Sequence, residues 1–292
     1  MRLAFFGLGN MGFPISKNLL ACGHTVTTAV HHSRETALAF QALGGHIAAS
    51  PAEAVVGAEV IFTIVPNDQA LCGLLLDAAM LDAVPAGCTI IEMTSASAEA
   101  VGRVASAYAA RGASLLDAPV SGGVAGAANA TMSMLCAGER AVFDRAAPLL
   151  EQISSRRCYV GPVPGQGKIL KSLNNLLSAV NKTAVGEAYR MAMANGVEPQ
   201  SFYDAISVSS GDSAALRAAF PRIRDGNYAP GFTVALMRKD LELAMGLSGS
   251  MTLPLAEAVL DYYRQAAPFD QEDSTAVAKV VYPPKQSGES KE

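Results

Sequence analysis

The sequence lacks the features that mark several common classes of protein. It has no basic excess, since 22 lysines and arginines stand against 26 aspartates and glutamates and the formal net charge is -4. A chain without clustered positive charge neutralises few phosphates, so we expect no nucleic-acid partner. No apolar stretch approaches the roughly 18 residues that a membrane-spanning helix needs. We therefore expect no membrane association.

Cysteine is scarce and scattered along the chain. The five cysteines are odd in number and none forms a CxxC pair; they are Cys22, Cys72, Cys88, Cys136 and Cys158. This pattern favours free thiols in a reducing compartment. The four histidines show no metal-ligand spacing, so we expect no metal site. The start MRLAFFGLG is broken by glycine and precedes no small-residue cleavage site, which disfavours a secretory signal. A cytoplasmic protein is expected.

The first half of the chain alternates short apolar runs with helical patterns. Glu59–Val65 is typical of a buried strand, and further strands are expected at Leu3–Phe6, Thr25–Val30, Thr89–Met93 and Ser114–Leu116. These runs show no alternation of apolar and polar residues, which predicts a parallel sheet covered on both faces by helices. The predicted fold is α/β, with an N-terminal Rossmann domain built on a doubly wound, mostly parallel sheet.

The second half has a different rhythm. From about Pro164 to Asn195 no turn signal occurs, and apolar residues follow the 3.6-residue period of one long interdomain helix. Only helical patterns follow it, including Ser213–Arg224 with an interruption near Pro221, and an all-helical C-terminal domain is therefore predicted. The expected division is a dinucleotide domain over residues 1–162, a substrate and oligomerisation domain over 163–283 and a disordered tail over 284–292.

A glycine-rich motif follows the first predicted strand. Residues 7–12 read GxGxxG between a strand and a helix, the arrangement that binds the pyrophosphate of a dinucleotide. The first glycine permits the turn, the second lets the backbone approach the phosphates, and the third allows the helix to pack against the strand. The predicted cofactor-binding residues of this loop are Gly7, Leu8, Gly9, Asn10, Met11 and Gly12.

The end of the second predicted strand bears on the form of the cofactor. An NAD site usually has an acidic residue there to bond the ribose hydroxyl, but this chain has Val30. His31 and Arg34 could contact a 2′-phosphate, so the sequence leans slightly towards NADP over NAD. The same residues equally suit an ordinary helix start with Ser33 as its N-cap.

Two further segments present polar groups suited to a small acid. Ser121, Gly122 and Gly123 follow a predicted strand and form a compact set of donors suited to a carboxylate, although an ordinary glycine-rich turn would look the same. Lys171 shares one face of the long helix with Asn174 and Asn175, at i, i+3 and i+4. Taken alone, that spacing fits an exposed surface lysine better than a catalytic one.

Four segments together give a resemblance that covers nearly the whole chain. They are GLGNMGFPISKNLL at 7–20, DAPVSGGVAGA at 117–127, GQGKILKSLNN at 165–175 and RKDLELA at 238–244. In this order they resemble the motifs of the β-hydroxyacid dehydrogenases, the family of 3-hydroxyisobutyrate dehydrogenase and tartronate semialdehyde reductase. The resemblance implies NAD(P)-dependent hydride transfer to or from a small hydroxy acid or semialdehyde acid.

The resemblance also implies roles for individual residues. Lys171 would be the general acid/base, with Lys168, one turn earlier, as its competitor. Glu92 stands where the family commonly has an aspartate. The remaining implied contacts are with the substrate for Asn174, Asn175 and Asp240, with the cofactor for Val65, Pro66, Asn67 and Thr94, and with both for Lys239.

Alternative functions stay open on the sequence alone. An imine reductase shares the N-terminal loop but lacks the catalytic lysine, and a non-catalytic dinucleotide-binding scaffold would also show that loop. The long apolar helix and the alanine-rich second half exceed what one small domain buries, which predicts a homodimer or homotetramer.

Overall fold

One sheet organises the first part of the computed structural model, which describes residues 1–29 and 33–281. The predicted role of His31 and the predicted tail at 284–292 lie outside these described residues. The sheet contains β1 (Arg2–Phe6), β2 (Thr25–Ala29), β3 (His46–Ala48), β4 (Val60–Thr63), β5 (Thr89–Glu92), β6 (Ser114–Asp117), β7 (Val120–Ser121), β8 (Met132–Ala137) and β9 (Ser154–Gly161).

The strands run in the order β3-β2-β1-β4-β5-β6-β8-β7, and β9 pairs with β8. Strands β1 to β6 are parallel to one another, whereas β8 runs antiparallel to β6 and β7. The chain winds outwards from β1 in one direction and then from β4 in the other. Ligands of such sheets bind beyond the carboxyl ends of the strands at this reversal, where residues 7–12 lie. The doubly wound, mostly parallel sheet is as predicted.

Helices cover both faces of the sheet. Along β1 successive side chains point to opposite faces, so Leu3 and Phe5 belong to one buried cluster and Ala4 and Phe6 to another. Two covered faces explain why the strands show no polar alternation. The helices of this part are α1 (Gly12–Ala21), α2 (Arg34–Ala42), α3 (Pro51–Ala54), α4 (Asp68–Leu75), α5 (Ala78–Ala83), α6 (Ala98–Ala109), α7 (Gly123–Ala128) and α8 (Arg140–Leu150).

The remaining part is helical, as predicted. It has its own apolar clusters, one around Tyr263 and another around Phe220. Among the described residues, no helix combines the length and the apolar character needed to cross a membrane. The helices are α9 (Gln166–Ala194), α10 (Pro199–Ile206), α11 (Ala214–Asp225), α12 (Val234–Gly246), α13 (Pro254–Gln265) and α14 (Ala278–Val281), with 3-10 turns at Ala267–Phe269 and Ser274–Val277.

The chain divides into two compact units, and the division falls inside α9. The first unit is Met1–Lys171 and the second begins at Ser172. Helix α9 is 29 residues long and matches the long helix predicted from the apolar period. The boundary predicted at residue 162 precedes this helix.

Two local details differ from the sequence pattern. Residues 70–80 have helical spacing throughout, but α4 ends at Leu75 and Asp77 caps a new helix by accepting a hydrogen bond from the Met80 amide at 3.1 Å. Helix α11 continues through Pro221 without interruption; the packing of Phe220 against aromatic neighbours offsets the lost hydrogen bond.

The segment after β6 is more regular than the ordinary glycine-rich turn that the sequence left open as an alternative. Ser121 ends the short strand β7 and Gly123 begins α7. Strand β7 pairs with β8 in the register Ser121↔Ser133. Two residues are fewer than a sequence pattern can reveal as a strand.

Candidate active site

The loop at residues 7–12 needs two of its glycines for internal reasons. Gly7 has φ 99°, and a Cβ there would lie 1.9 Å from the Ile64 carbonyl oxygen. A Cβ on Gly12 would lie 1.8 Å from the Gly7 carbonyl oxygen. Any side chain at either position would break the turn or push α1 off the strand. These are the roles predicted for the first and third glycines of the motif.

The middle glycine has no such internal reason. Apart from its two chain neighbours, no described residue has an atom within 4 Å of a Cβ built on Gly9, so its missing side chain leaves open space above the loop. Helix α1 also begins without a side-chain cap. By contrast, α2 to α6 each begin with one, provided by Ser33, Ser50, Asn67, Asp77 and Ser97.

Open space over an uncapped helix start fits a bound phosphate. The first amide groups of a helix lack intrahelical acceptors, and the helix dipole places partial positive charge there. A pyrophosphate satisfies both. The loop therefore fits the cofactor predicted for it. Of its other predicted contacts, Leu8 and Met11 pack partly buried against the core, while Asn10 is exposed.

A hydrogen bond joins the loops after β4 and β5, which contain four of the predicted cofactor-binding residues. The Thr94 hydroxyl accepts a hydrogen bond from the Val65 amide at 3.1 Å, and Thr94 is fully buried. Exposed Pro66 and Asn67 follow, and Asn67 caps α4 by accepting from the Ala70 amide at 2.9 Å. Backbone at the carboxyl edge of the sheet is thus fixed in place, whereas the contacts of these residues with a cofactor stay predictions.

At the start of α2 the structure supports the alternative in which Ser33 is the N-cap of an ordinary helix start. The Ser33 hydroxyl accepts a hydrogen bond from the Thr36 amide at 3.1 Å. Arg34 is exposed as the first residue of the helix. Because Val30 and His31 lie outside the described residues, the contact of Arg34 with a 2′-phosphate stays a prediction.

The donor cluster at residues 121–123 has a backbone that demands glycine. Gly122 has φ 134° and Gly123 has φ 63°, both in the left-handed region. A Cβ on Gly122 would lie 3.3 Å from the Met132 Cα, whereas a Cβ on Gly123 would meet nothing within 4 Å. Both glycines are exposed and Ser121 is half-buried, so these groups remain accessible to a small acid.

A buried ionic cluster lies where α9 begins. The Lys168 ammonium lies 2.6 Å from Oε2 of Glu92 and 2.9 Å from Oδ1 of Asp117, and it donates to the Glu92 carbonyl oxygen at 3.0 Å. Lys168 is 2% exposed and both acids are fully buried. Burial by itself would lower the pKa of Lys168, but the two carboxylates outweigh it and raise that pKa above its ordinary value.

The two acids also hold backbone. Oδ2 of Asp117 accepts from the Gly165 amide at 2.8 Å and from the Lys168 amide at 3.2 Å, so it caps the first turn of α9. Oε1 of Glu92 accepts from the Thr94 amide at 2.7 Å. Burial raises the pKa of Glu92, against the lowering effect of Lys168. The cluster thus joins the ends of β5 and β6 to the first turn of α9.

The motif spacing favours Lys171 over its competitor Lys168 as the catalytic lysine, and the structure gives Lys168 a structural role. Lys168 is locked between two carboxylates and its position is fully explained by the fold. Lys171 lies one turn later on the same helix and is 8% exposed. Next along this helix, Asn175 is 5% exposed, whereas Asn174 is exposed.

The second unit contains four of the residues predicted to bind substrate, two on α9 and two on α12. The Asn175 amide donates to Oδ2 of Asp240 at 2.5 Å, and Asp240 is 2% exposed. The ammonium of Lys239 lies 3.5 Å from Oδ1 of Asp240. The exposed Asn174 amide donates to Oδ1 of Asn175 at 3.3 Å. The structure thus brings Asn174, Asn175, Lys239 and Asp240 together, whereas their contact with a substrate stays a prediction.

Sequence reasoning missed the roles of Glu92, Asp117 and Lys168, although a signal was present. Two neighbouring apolar strands each end in an acid, and Glu92 and Asp117 are register partners in adjacent parallel strands. Two buried carboxylates side by side repel each other unless a cation lies between them. Lys168, in the motif GQGKILKSLNN at 165–175, is that cation.

Comparison with known proteins shows the family to which the chain belongs. Residues 2–161 match the family model for the NAD-binding domain of 6-phosphogluconate dehydrogenase, and residues 165–281 match the model described as NAD-binding of NADP-dependent 3-hydroxyisobutyrate dehydrogenase. The chain belongs to the β-hydroxyacid dehydrogenase family. It is an NAD(P)-dependent oxidoreductase acting on a small hydroxy acid.

Individual relatives extend this match over most of the chain. A 3-hydroxyisobutyrate dehydrogenase of Pseudomonas aeruginosa is 36% identical over 83% of this chain and 84% of that protein. An NAD-dependent L-serine dehydrogenase of the same organism is 32% identical over 90% and 91%. A solved structure of Mycobacterium tuberculosis 3-hydroxyisobutyrate dehydrogenase with L-serine superposes with a TM-score of 0.89, at 33% identity over 96% and 98%.

Proposed function

We propose that this enzyme interconverts a small 3-hydroxy acid and the corresponding semialdehyde acid, with Lys171 as general acid/base. The observation that carries the assignment is the buried pairing of Lys168 with Glu92 and Asp117. It gives Lys168 a structural role, and the resemblance of the motif at 165–175 assigns the proton transfer to its other lysine, Lys171. The relatives named for 3-hydroxyisobutyrate and L-serine support the substrate class, because both compounds carry a hydroxyl on the carbon beyond the one that bears the carboxylate.

We assign substrate binding and proton transfer to the following residues of the chain. Ser121 and the amides of Gly122 and Gly123 bind the substrate carboxylate, and Asn175 helps to orient the substrate. In the oxidative direction Lys171 accepts the hydroxyl proton; in the reductive direction its ammonium donates a proton to the developing alkoxide. The nicotinamide, when bound, supplies the acceptor or donor of the hydride.

For the cofactor we propose a preference for NADP over NAD. The exposed guanidinium of Arg34 at the start of α2 supports it, together with the absence of an acid at sequence position 30. We further propose that the enzyme is cytoplasmic, binds no nucleic acid and is a homodimer or homotetramer. The exposed apolar side chains of Leu177 and Met191 on α9, at 65% and 67%, support assembly.

Steady-state kinetics test the proposal directly. The purified protein would be assayed with 3-hydroxyisobutyrate, L-serine and glycerate in one direction, and with tartronate semialdehyde, glyoxylate and succinic semialdehyde in the other, each with NADP(H) and NAD(H). We expect Lys171→Ala to lower kcat by several orders of magnitude while dinucleotide binding, measured by fluorescence, is kept. Unchanged turnover in that variant would remove Lys171 from the mechanism. Light scattering measures the assembly state, and Leu177→Glu should shift it towards the monomer.

A further inference from the structure

The cluster of Lys168, Glu92 and Asp117 buries three ionisable groups at one contact between two strand ends and a helix. Replacing a buried ion pair by apolar side chains is often neutral or stabilising, so burial of three charged groups is weak support for a role in stability alone. These groups are two carboxyl groups and one amine, and they are between 0% and 2% exposed. A purely structural contact at this point would be made more simply by apolar residues.

The contacts of the cluster converge on the first turn of α9. The side chain of Lys168 holds the end of β5 through the carboxylate and the carbonyl oxygen of Glu92. Asp117, at the end of β6, holds the main-chain amides of Gly165 and Lys168. A Cβ on Gly167 would lie 2.4 Å from the Leu135 carbonyl oxygen, so the helix is also pressed against β8. Three strands thus fix the position and rotation of this turn.

The same cluster reaches the loop after β4. Glu92 accepts from the Thr94 amide, and the Thr94 hydroxyl accepts from the Val65 amide. A continuous chain of short polar contacts therefore runs from the backbone beyond β4 to the start of α9. Every member of this chain lies in the first unit, Met1–Lys171.

Lys171 follows Lys168 by three residues, which in an α-helix is slightly less than one turn and about 4.5 Å along the axis. Whatever fixes the rotation of the first turn of α9 also fixes the direction in which the Lys171 side chain leaves the helix. Proton transfer needs its partners within hydrogen-bond distance, and a misplacement of about 1 Å can lower a rate by about 100-fold.

We propose that Lys168, clamped between Glu92 and Asp117, is a positioning residue that sets the placement of Lys171 relative to the dinucleotide loops. This inference rests on the proposed function of Lys171. Lys168 itself does not exchange protons with substrate, because its ammonium is enclosed by acids of the same unit. Its effect is expected in kcat, since the binding groups of the glycine loop and of residues 121–123 are left in place.

The test separates placement from stability by means of two variants. Lys168→Met keeps the approximate length of the side chain but leaves two buried carboxylates facing each other, so it should lower both stability and kcat. In the double variant Lys168→Met/Glu92→Gln the repulsion is removed, because the new amide at position 92 can donate to Asp117 and still accept from the Thr94 amide. We expect the double variant to recover thermal stability but not turnover, since α9 still lacks its clamp.

The measurements are the melting temperature, the dissociation constant for the dinucleotide, and kcat and KM for the best hydroxy acid. In the double variant we expect kcat at least about tenfold below that of the unsubstituted enzyme, with KM within about threefold and the cofactor dissociation constant within about twofold. Val101→Ala, a change in the apolar cluster under α6 that removes no member of the ionic cluster, is the control for a loss of stability without a loss of kcat.

The outcomes are decisive in either direction. Recovery of kcat to within twofold of the unsubstituted enzyme in the stable double variant overturns the inference and leaves Lys168 a structural residue. If Lys168→Met fails to fold, the double variant alone decides. The failure of the proposed function looks different, because the unsubstituted enzyme would then oxidise no hydroxy acid or would keep its activity after Lys171→Ala.

Discussion

Asn175 of α9 donates a 2.5 Å hydrogen bond to the buried carboxylate of Asp240 on α12. This contact orients the Asn175 amide, since the amide nitrogen faces the acid and the oxygen accepts from Asn174. Asp240→Ala removes the acceptor from a buried donor, which costs about 1–3 kcal/mol. We expect a loss of stability of this size and a rise in the substrate KM, measured by urea denaturation and steady-state kinetics. Asp261→Ala, an exposed change on α13, should alter neither.

The open space above Gly9 predicts a change that affects binding without affecting folding. Gly9→Val meets no described atom within 4 Å of its Cβ, so the melting temperature should stay within a few degrees. The added side chain occupies the space that phosphates need, and dinucleotide affinity should fall by at least about tenfold. Calorimetric titration with NADP and NAD measures this. Gly12→Val is the contrasting variant, because its Cβ would lie 1.8 Å from a carbonyl oxygen and folding itself should suffer. Undiminished affinity of Gly9→Val would place the phosphates elsewhere.

Arg34 provides a test of cofactor preference. If its exposed guanidinium pairs with the 2′-phosphate, Arg34→Ala should lower kcat/KM for NADP by about tenfold and leave that for NAD nearly unchanged. Arg145→Ala removes one exposed positive charge from α8 and serves as the matched control. Equal effects of Arg34→Ala on both cofactors would show that Arg34 does not recognise the 2′-phosphate. Arg34 would then be only the first residue of a helix that Ser33 caps.

The five cysteines should differ in how fast their thiols react at pH 8. Burial raises the pKa of Cys88 and of Cys136 to about 12, so at pH 8 both remain protonated in the folded enzyme and a thiolate-specific reagent cannot reach them. Cys22 and Cys158 are exposed. Titration with a chromogenic disulfide at pH 8 should therefore modify these two rapidly and Cys72, which is half-buried, more slowly. All five should react in denaturant. Rapid reaction of five thiols in the folded protein would contradict the burial.

The parts of the fold that were predictable are those that local patterns determine. The glycine loop shows its spacing directly in the sequence, because Gly12 packs against the Gly7 carbonyl oxygen only five residues earlier, and α9 shows its apolar period over eight turns. Tertiary effects were not predictable from such patterns. The continuation of α11 through Pro221 depends on aromatic packing, and the two-residue strand β7 exists only because β8 lies beside it.

The candidate site shows the same limit. Periodicity placed Lys171 and Asn175 on one face of a helix, but it assigned no partner to either residue and gave no reason to prefer Lys171 to Lys168. Only the position of Glu92 and Asp117 in adjacent strands shows why Lys168 is committed. Glu92 is 76 residues and Asp117 is 51 residues away from Lys168 along the chain, and no local pattern spans such a separation.

The dependence of β5 and β6 on a residue of α9 has a practical meaning for dissecting the enzyme. A dinucleotide-binding fragment that stops at residue 162, where the sequence suggests a boundary, would retain both strand-end acids but lose the only ammonium among the described residues that pairs with them. Its carboxylates would then have to take up protons or open the sheet edge to water. A fragment that ends at or after Lys171 retains the ammonium of Lys168. An autonomously folding fragment must therefore include the first turns of α9, although the rest of that helix belongs to the second unit.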